Sequence, residues 1–284
     1  MKLFKIRSSA ASKIMGNVNR PTEKQLIELD KLLEKSKAGK ITEKQKEMMD
    51  SIIAKRDAKP ELSVGAKTYC KQWLKEQPEF YNRTADFANK YTDKGEECEP
   101  DGIRLVADKM GYGEVFKNAE QFEDADITGT PDLIVKESVD DIKCSWSWET
   151  FPLFEDELPT DDYYYQLQCY MALTGRRKGS VNYCLIDTPM NLIEREAKNK
   201  SFRAGYVELE NELFEEAFEK MTYTNVPDSL RVKRFEITYD EAVIAQIRTQ
   251  VALCREYINT LVEKHQPPPS ISLASSIPEG GILG

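Results

Sequence analysis

Histidine is nearly absent: His265 is the only one among 284 residues. A lone imidazole excludes catalysis by paired histidines, and its place beside the Gln266-Pro267-Pro268-Pro269 run argues against its serving as a general base. The six cysteines, Cys70, Cys98, Cys144, Cys169, Cys184 and Cys254, form no C-x-x-C pair. A chain of this size needs no covalent staples, so a disulfide framework, a zinc ribbon and an iron–sulfur centre all lack sequence support. No apolar run approaches the roughly 18 residues of a membrane helix, and the N-terminus MKLFKIRSSAASK has no apolar secretory core. These absences set the expectation of a cytoplasmic protein without membrane contact. No G-x-x-x-x-G-K-[ST] phosphate loop occurs, so nucleotide hydrolysis is unsupported. Carboxylates, lysines and the metal ions that carboxylates hold remain available for chemistry.

Forty basic residues against 49 acidic ones give a net charge of -9, which opposes binding of nucleic acid by the whole surface. The distribution is uneven. Residues 1 to 20 carry Lys2, Lys5, Arg7, Lys13 and Arg20 with no acid, whereas acids gather at 96–101, 120–126, 155–162 and 208–219. Local positive ground therefore survives on an acidic chain.

Helical spacing dominates the first third. Thr22-Glu23-Lys24-Gln25 and Thr42-Glu43-Lys44-Gln45 both fit the T-x-x-Q capping box and open stretches with Leu26, Leu29, Leu32 and Leu33, then Met48, Met49, Ile52 and Ile53. They predict an antiparallel helical hairpin over about 21–58, an insertion without chemistry of its own. A third helix is expected from Ser63 through Leu74, and a fourth with Ile103, Val106 and Met110 on one face, stopped by Gly111, with Glu99 just before it. The period then changes. Residues 127–135 and 139–144 read as two strands separated by Lys136-Glu137-Ser138, 162–174 as a helix ending at Gly175, and 181–186 as a strand. Helices are expected again at 213–221 and 239–261, and 266–284 reads as a flexible Pro/Ser/Gly-rich tail after a single domain over 1–265. The fold class is α/β, a central mixed β-sheet flanked by α-helices with the hairpin inserted near the N-terminus.

The stretch that carries chemistry is Gly129-Thr130-Pro131-Asp132, followed by Asp140-Asp141-Ile142-Lys143. On a strand, Asp141 and Lys143 share one face and Ile142 takes the other, and Asp132 on the adjoining strand comes within cross-strand reach. Two close carboxylates repel unless a cation shares them, and hard oxygen ligands without histidine select Mg²⁺ or Mn²⁺. A site of this kind suits phosphodiester hydrolysis, with Lys143 orienting water and stabilising developing charge. A turn cap at Asp132 and a surface ion pair at Asp141 and Lys143 are the plain alternative. Three further features favour the chemical reading. Glu99 can add a third carboxylate, and Gln166 and Tyr170, four apart on one helix face, can support a lysine or a phosphate. Ser8, Ser9, Ser12 and Lys13 can cradle a phosphate near a helix start.

In this order the motifs resemble the PD-(D/E)XK nuclease superfamily, and within it the phage lambda-type (YqaJ-like) recombination exonucleases, over roughly residues 5–189. The matching features are a serine-bearing N-terminal helix, G-x-x-x-E ending at Glu99, P-D at Asp132, D-x-K at Asp141 and Lys143, and Q-x-x-x-Y at Gln166 and Tyr170. The resemblance implies a restriction-endonuclease-like core in which Asp132, Asp141, the carbonyl of Ile142 and Glu99 hold metal, Mg²⁺ or Mn²⁺, as two ions. Lys143 would activate water, Gln166 would orient it, and Ser9, with Ser8 or Ser12 as alternatives, would bind a terminal phosphate. Asp141 stands where the lambda-type enzymes usually carry glutamate.

The resemblance further implies a Mg-dependent exonuclease degrading duplex DNA from an end, 5′ to 3′. It would be the nuclease of a phage recombination system, working in the cytoplasm of a bacterial host as a ring-shaped homo-oligomer with a single-strand annealing partner. A restriction-type endonuclease and a non-catalytic DNA-binding protein of the same fold are the rivals. Trp146, just past the D-x-K strand, is either core or a base-stacking side chain.

Overall fold

The computed structural model describes residues 1–16, 21, 23–80 and 89–265. Among them, β1 (Ile6–Arg7) leads through a 3₁₀ turn at Ser8–Ala10 into α1 (Ser12–Met15). Then come α2 (Glu23–Lys37), α3 (Glu43–Asp57), α4 (Val64–Lys75) and α5 (Lys90–Met110). The strands β2 (Phe122–Glu123), β3 (Ile127–Gly129), β4 (Leu133–Val135) and β5 (Ser138–Cys144) follow. After α6 (Asp161–Thr174) and β6 (Lys178–Cys184), the chain continues through α7 (Met190–Arg203), α8 (Asn211–Met221), β7 (Val232–Thr238) and α9 (Glu241–His265). The α/β class with a mixed sheet and flanking helices is as expected.

The larger sheet has the order β4-β5-β6-β7; β5 and β6 run parallel and both outer pairs antiparallel. A smaller sheet, β1-β3-β2, pairs β1 with β3 in parallel. The stretch 127–135 is therefore two strands rather than one. Thr130-Pro131-Asp132 breaks it, because proline has no N–H for a ladder, and the chain crosses there from one sheet to the other. This corner places Asp132.

Alternation along β5 sends its two faces to different helices. Ile142 packs with Leu133, Ile103 and Val106 under α5, while Val139 packs with Val181, Leu167 and Met171 under α6. Gly102 permits the close approach of α5, since a Cβ there would lie 2.9 Å from Ile142 Cγ2. A further core joins Ile6, Ile14, Cys70 and Ile127 to the buried face of α9. Burying side chains of this size is worth roughly 1.5–3 kcal/mol each, so the two β5 faces fix the strand firmly.

The hairpin of α2 and α3 is present, with a small core of its own in Leu29, Leu32 and Ile52. The Thr42 capping box forms in full, with Thr42 accepting from the Gln45 N–H and Gln45 from the Thr42 N–H; Thr22 lies outside the described residues, as does the tail 266–284. Ser63 caps α4, and Gly111 and Gly175 end α5 and α6 in left-handed conformation. Three expectations need correction. Helix α5 starts at Lys90, so Glu99 lies in mid-helix and Pro100 inside it; the Asn89 side chain caps the true start. The strand expected at 181–186 runs 178–184, and α7, β7 and the two-residue strands β1 and β2 are additional to the elements expected from the sequence.

Candidate active site

The register that pairs Leu133 with Asp140 sets Asp132 opposite Asp141, one step beyond the end of β4. There the Asp132 carboxylate substitutes for the missing ladder and accepts a 2.7 Å hydrogen bond from the Ile142 N–H. In a strand the N–H and C=O of one residue point to the same side, so the Ile142 carbonyl is directed to the flank that Asp132 occupies. Asp141, 1% exposed, meets the Lys143 ammonium at 2.8 Å through Oδ2. Its Oδ1 accepts from the Gln166 amide at 3.3 Å. The same amide donates to the Tyr170 hydroxyl at 2.9 Å, so Gln166 and Tyr170 brace the Asp141 carboxylate from α6. Lys143 lies 4.6 Å from the centre of the Tyr163 ring, one helical turn before Gln166.

Glu99 approaches from α5. The Lys117 ammonium spans both its carboxylate oxygens, at 2.8 and 2.9 Å. Asp132, Ile142, Lys143, Glu99 and Trp146 border one cleft of about 560 Å³. The charges in it are unbalanced. Burial, and then the neighbouring Asp141, push the Asp132 carboxyl up to about 7 against the opposing pull of Lys143 and the Ile142 N–H. Burial would lower the Lys143 ammonium, but Asp141 and Asp132 outweigh it and hold this lysine protonated above its ordinary range.

The donor set fits a hard divalent cation. Two buried carboxylate oxygens, Asp141 Oδ2 and Glu99 Oε1, lack a hydrogen bond and meet only a lysine ammonium outside hydrogen-bond geometry. Asp132 is raised toward neutrality by burial and its like-charged neighbours. All three groups gain from added positive charge. Among the described residues no three His, Cys, Asp or Glu side chains converge as a ready-made metal cage, because each carboxylate is drawn to its own nitrogen donor.

The N-terminal segment reaches this cluster through Ser8. Its hydroxyl donates to the Thr128 carbonyl at 3.1 Å, and a Cβ on Gly129 would lie 2.3 Å from Ser8 Oγ and 2.7 Å from Tyr170 Cε1. Ser8 is buried, Ser9 and Arg7 are exposed, Ser12 is half-buried and Lys13 lies 5.6 Å over the Tyr69 ring. The structure thus brings Asp132, Asp141, Ile142, Lys143, Glu99, Gln166 and Tyr170 together and shows no such contact for Ser9, Ser12, Lys13 and Arg7. Trp146 borders the cleft with Tyr91 edge-on at 5.2 Å and the Lys90 ammonium 4.7 Å over its ring.

No family model and no curated protein matches the sequence. Solved structures do. A phage-related exonuclease from Haemophilus somnus 129PT superposes with a TM-score of 0.63 at 25% identity, covering 93% of this chain and 97% of that one. The chain has the fold of the phage-type PD-(D/E)XK exonucleases. The alkaline exonuclease LHK-Exo of Laribacter hongkongensis gives a TM-score of 0.53 at 15% identity over 92% and 91% of the two chains, a likeness of fold. Among the described residues no helix of this exonuclease fold is long and apolar enough to cross a membrane.

Three neighbours of the site escape sequence reasoning. Tyr163 shares a helix face with Gln166 and Tyr170, and that spacing is the signal that discloses it. Lys117 and Lys94 offer no signal, since tertiary packing alone brings them here. Lys94 is fully buried on α5, with its ammonium donating to the Trp146 carbonyl at 2.9 Å.

Proposed function

We propose that this protein is a divalent-metal-dependent exonuclease that hydrolyses phosphodiester bonds from the ends of duplex DNA, as the nuclease of a phage-type recombination system. The observation that carries the reading is the placement of Asp132 opposite Asp141, with Lys143 at 2.8 Å, on the wall of an open cleft. The likeness to a phage-related exonuclease over nearly the whole of both chains supports it.

Asp132, Asp141, the Ile142 carbonyl and Glu99 would hold Mg²⁺, or Mn²⁺ in its place. When bound, such ions supply a nucleophile from water at neutral pH and draw charge from phosphate oxygens. The protein's own groups do the rest. Lys143 can orient water and offset negative charge at the phosphate. Tyr163 covers one side of its ammonium and fixes the direction in which it points. Gln166, tied to both Asp141 and Tyr170, holds the Asp141 carboxylate in one rotamer. Trp146 offers an aromatic wall on which a base can stack. Ser9, exposed on the N-terminal turn, would bind a terminal phosphate with Ser12 as alternative, since the Ser8 hydroxyl already donates to Thr128. The 5′ to 3′ direction, a ring of identical subunits and a single-strand annealing partner belong to this reading through the resemblance alone.

The test compares Mg²⁺-dependent nucleotide release from linear duplex DNA and from covalently closed circles. Linear DNA is degraded and circles persist, and Asp132→Ala and Lys143→Ala abolish release. Equal release by all three chains overturns the site, and cleavage of circles transfers the reading to a restriction-type endonuclease.

A further inference from the structure

Lys117 belongs to no sequence motif and to no secondary-structure element, yet its position is set from two sides. Its neighbour Asn118 is tied to the corner that carries Asp132: the Asn118 N–H donates to the Asp132 carbonyl at 2.8 Å, and its side-chain amide to the Pro131 carbonyl at 3.0 Å. From that fixed backbone the Lys117 side chain reaches α5 and lies against both oxygens of Glu99. Glu99 is only 14% exposed, and the ammonium meets both of its carboxylate oxygens. Lys117 itself is 54% exposed and can withdraw into water at little cost.

We propose that Lys117 is the resident counter-ion of the metal pocket: its ammonium holds Glu99 in the metal-free protein and competes with the divalent ion for that carboxylate. The proposal deepens the metal-dependent reading and rests on it. When all three are ionised, Glu99, Asp132 and Asp141 carry three negative charges against the two ammonium groups of Lys117 and Lys143. Removing Lys117 leaves the cluster one charge more negative and Glu99 without its partner. A divalent cation is attracted more strongly to that cluster, and it no longer has an ammonium to displace.

Direct binding of Mn²⁺, followed by titration calorimetry without DNA, measures the competition independently of catalysis. Release of a partly exposed ion pair corresponds to about a fivefold change in a binding constant. Lys117→Met is expected to bind Mn²⁺ about fivefold more tightly than the unaltered chain, and Lys117→Arg, which keeps the charge, to match the unaltered chain. Equal or weaker binding by Lys117→Met, with the unaltered chain binding normally, overturns the competition and leaves the metal site standing. Failure of both chains to bind Mn²⁺ overturns the metal reading and the competition with it. The exposure of Lys117 makes misfolding of these variants a minor concern, and matching thermal unfolding curves establish that they fold.

Discussion

Asp132 accepts its 2.7 Å hydrogen bond from the backbone of Ile142, the residue between Asp141 and Lys143, so the first acid of the site is registered against the other two groups by main chain. Asp132→Asn keeps that hydrogen bond and removes the charge. Nucleotide release is expected to fall at least about 100-fold, the scale of losing a preorganised electrostatic group. Stability without metal moves the other way. A carboxyl raised to about 7 from 3.8 destabilises the folded state progressively as pH rises through that window, and the effect is complete above pH 7. Thermal unfolding at pH 8 should therefore show the asparagine variant more stable, by on the order of 1–2 kcal/mol. Unchanged nuclease activity would refute the placement of Asp132.

Gly129 gives a second expectation. A methyl group there meets both Ser8 Oγ and Tyr170 Cε1 inside contact distance. Gly129→Ala should cost about 1–3 kcal/mol in chemical denaturation and lower activity further, through the shift of Tyr170 and of the Gln166 and Asp141 groups it braces. Stability equal to that of the unaltered chain would mean that the β3–α6 contact is loose.

Gly95 lies on the cleft side of α5, where an added Cβ meets nothing within 4 Å. A helical glycine without a packing reason costs about 0.5–1 kcal/mol relative to alanine, so Gly95→Ala should raise the unfolding midpoint. If DNA fills the cleft, the same variant should raise KM for duplex ends by several-fold. A stabilised variant with unchanged KM would place the DNA elsewhere.

Lys94 supplies a pH dependence away from the carboxylates. Burial lowers its ammonium to about 8 from 10.5, so between those values the unfolded chain binds the extra proton. Stability from this group therefore increases as pH rises from about 8 to 10.5, and the penalty is fully present below 8. Lys94→Met should flatten the difference in unfolding free energy over that window by on the order of 3 kcal/mol. Parallel pH profiles for the two chains would show that Lys94 is not desolvated as described.

What is legible in the sequence is local. The Thr42 capping box, the Ser63 cap and the Gly111 and Gly175 stops use interactions within a few residues, and the structure has all four. Asp141 and Lys143 can be placed on one face because strand alternation needs no partner. The break at Thr130-Pro131-Asp132 is written in its proline but is hidden by the apolar residues on either side. The start of α5 is set too late because its apolar face begins at Ile103, whereas Asn89 caps a helix whose first turns are polar and which runs through Pro100. Strand β7 carries Arg234 between its apolar residues, a charge explained by its partners Asp140, Tyr112 and Asn182 elsewhere in the chain. Lys117 and Lys94 depend on residues 18 and 52 positions away, respectively, and periodicity has no information at that range.

The amino-terminal strand is gripped from the far end of the chain. The Arg255 guanidinium donates twice to the Phe4 carbonyl, at 2.9 and 2.8 Å, and also pairs with Asp126. During synthesis on the ribosome, the Phe4 carbonyl made first gains its Arg255 partner only after α9 has emerged. A nascent chain therefore carries Asp132, Asp141 and Lys143 well before it carries the anchor of its amino-terminal strand, and that contact waits on one of its last helices.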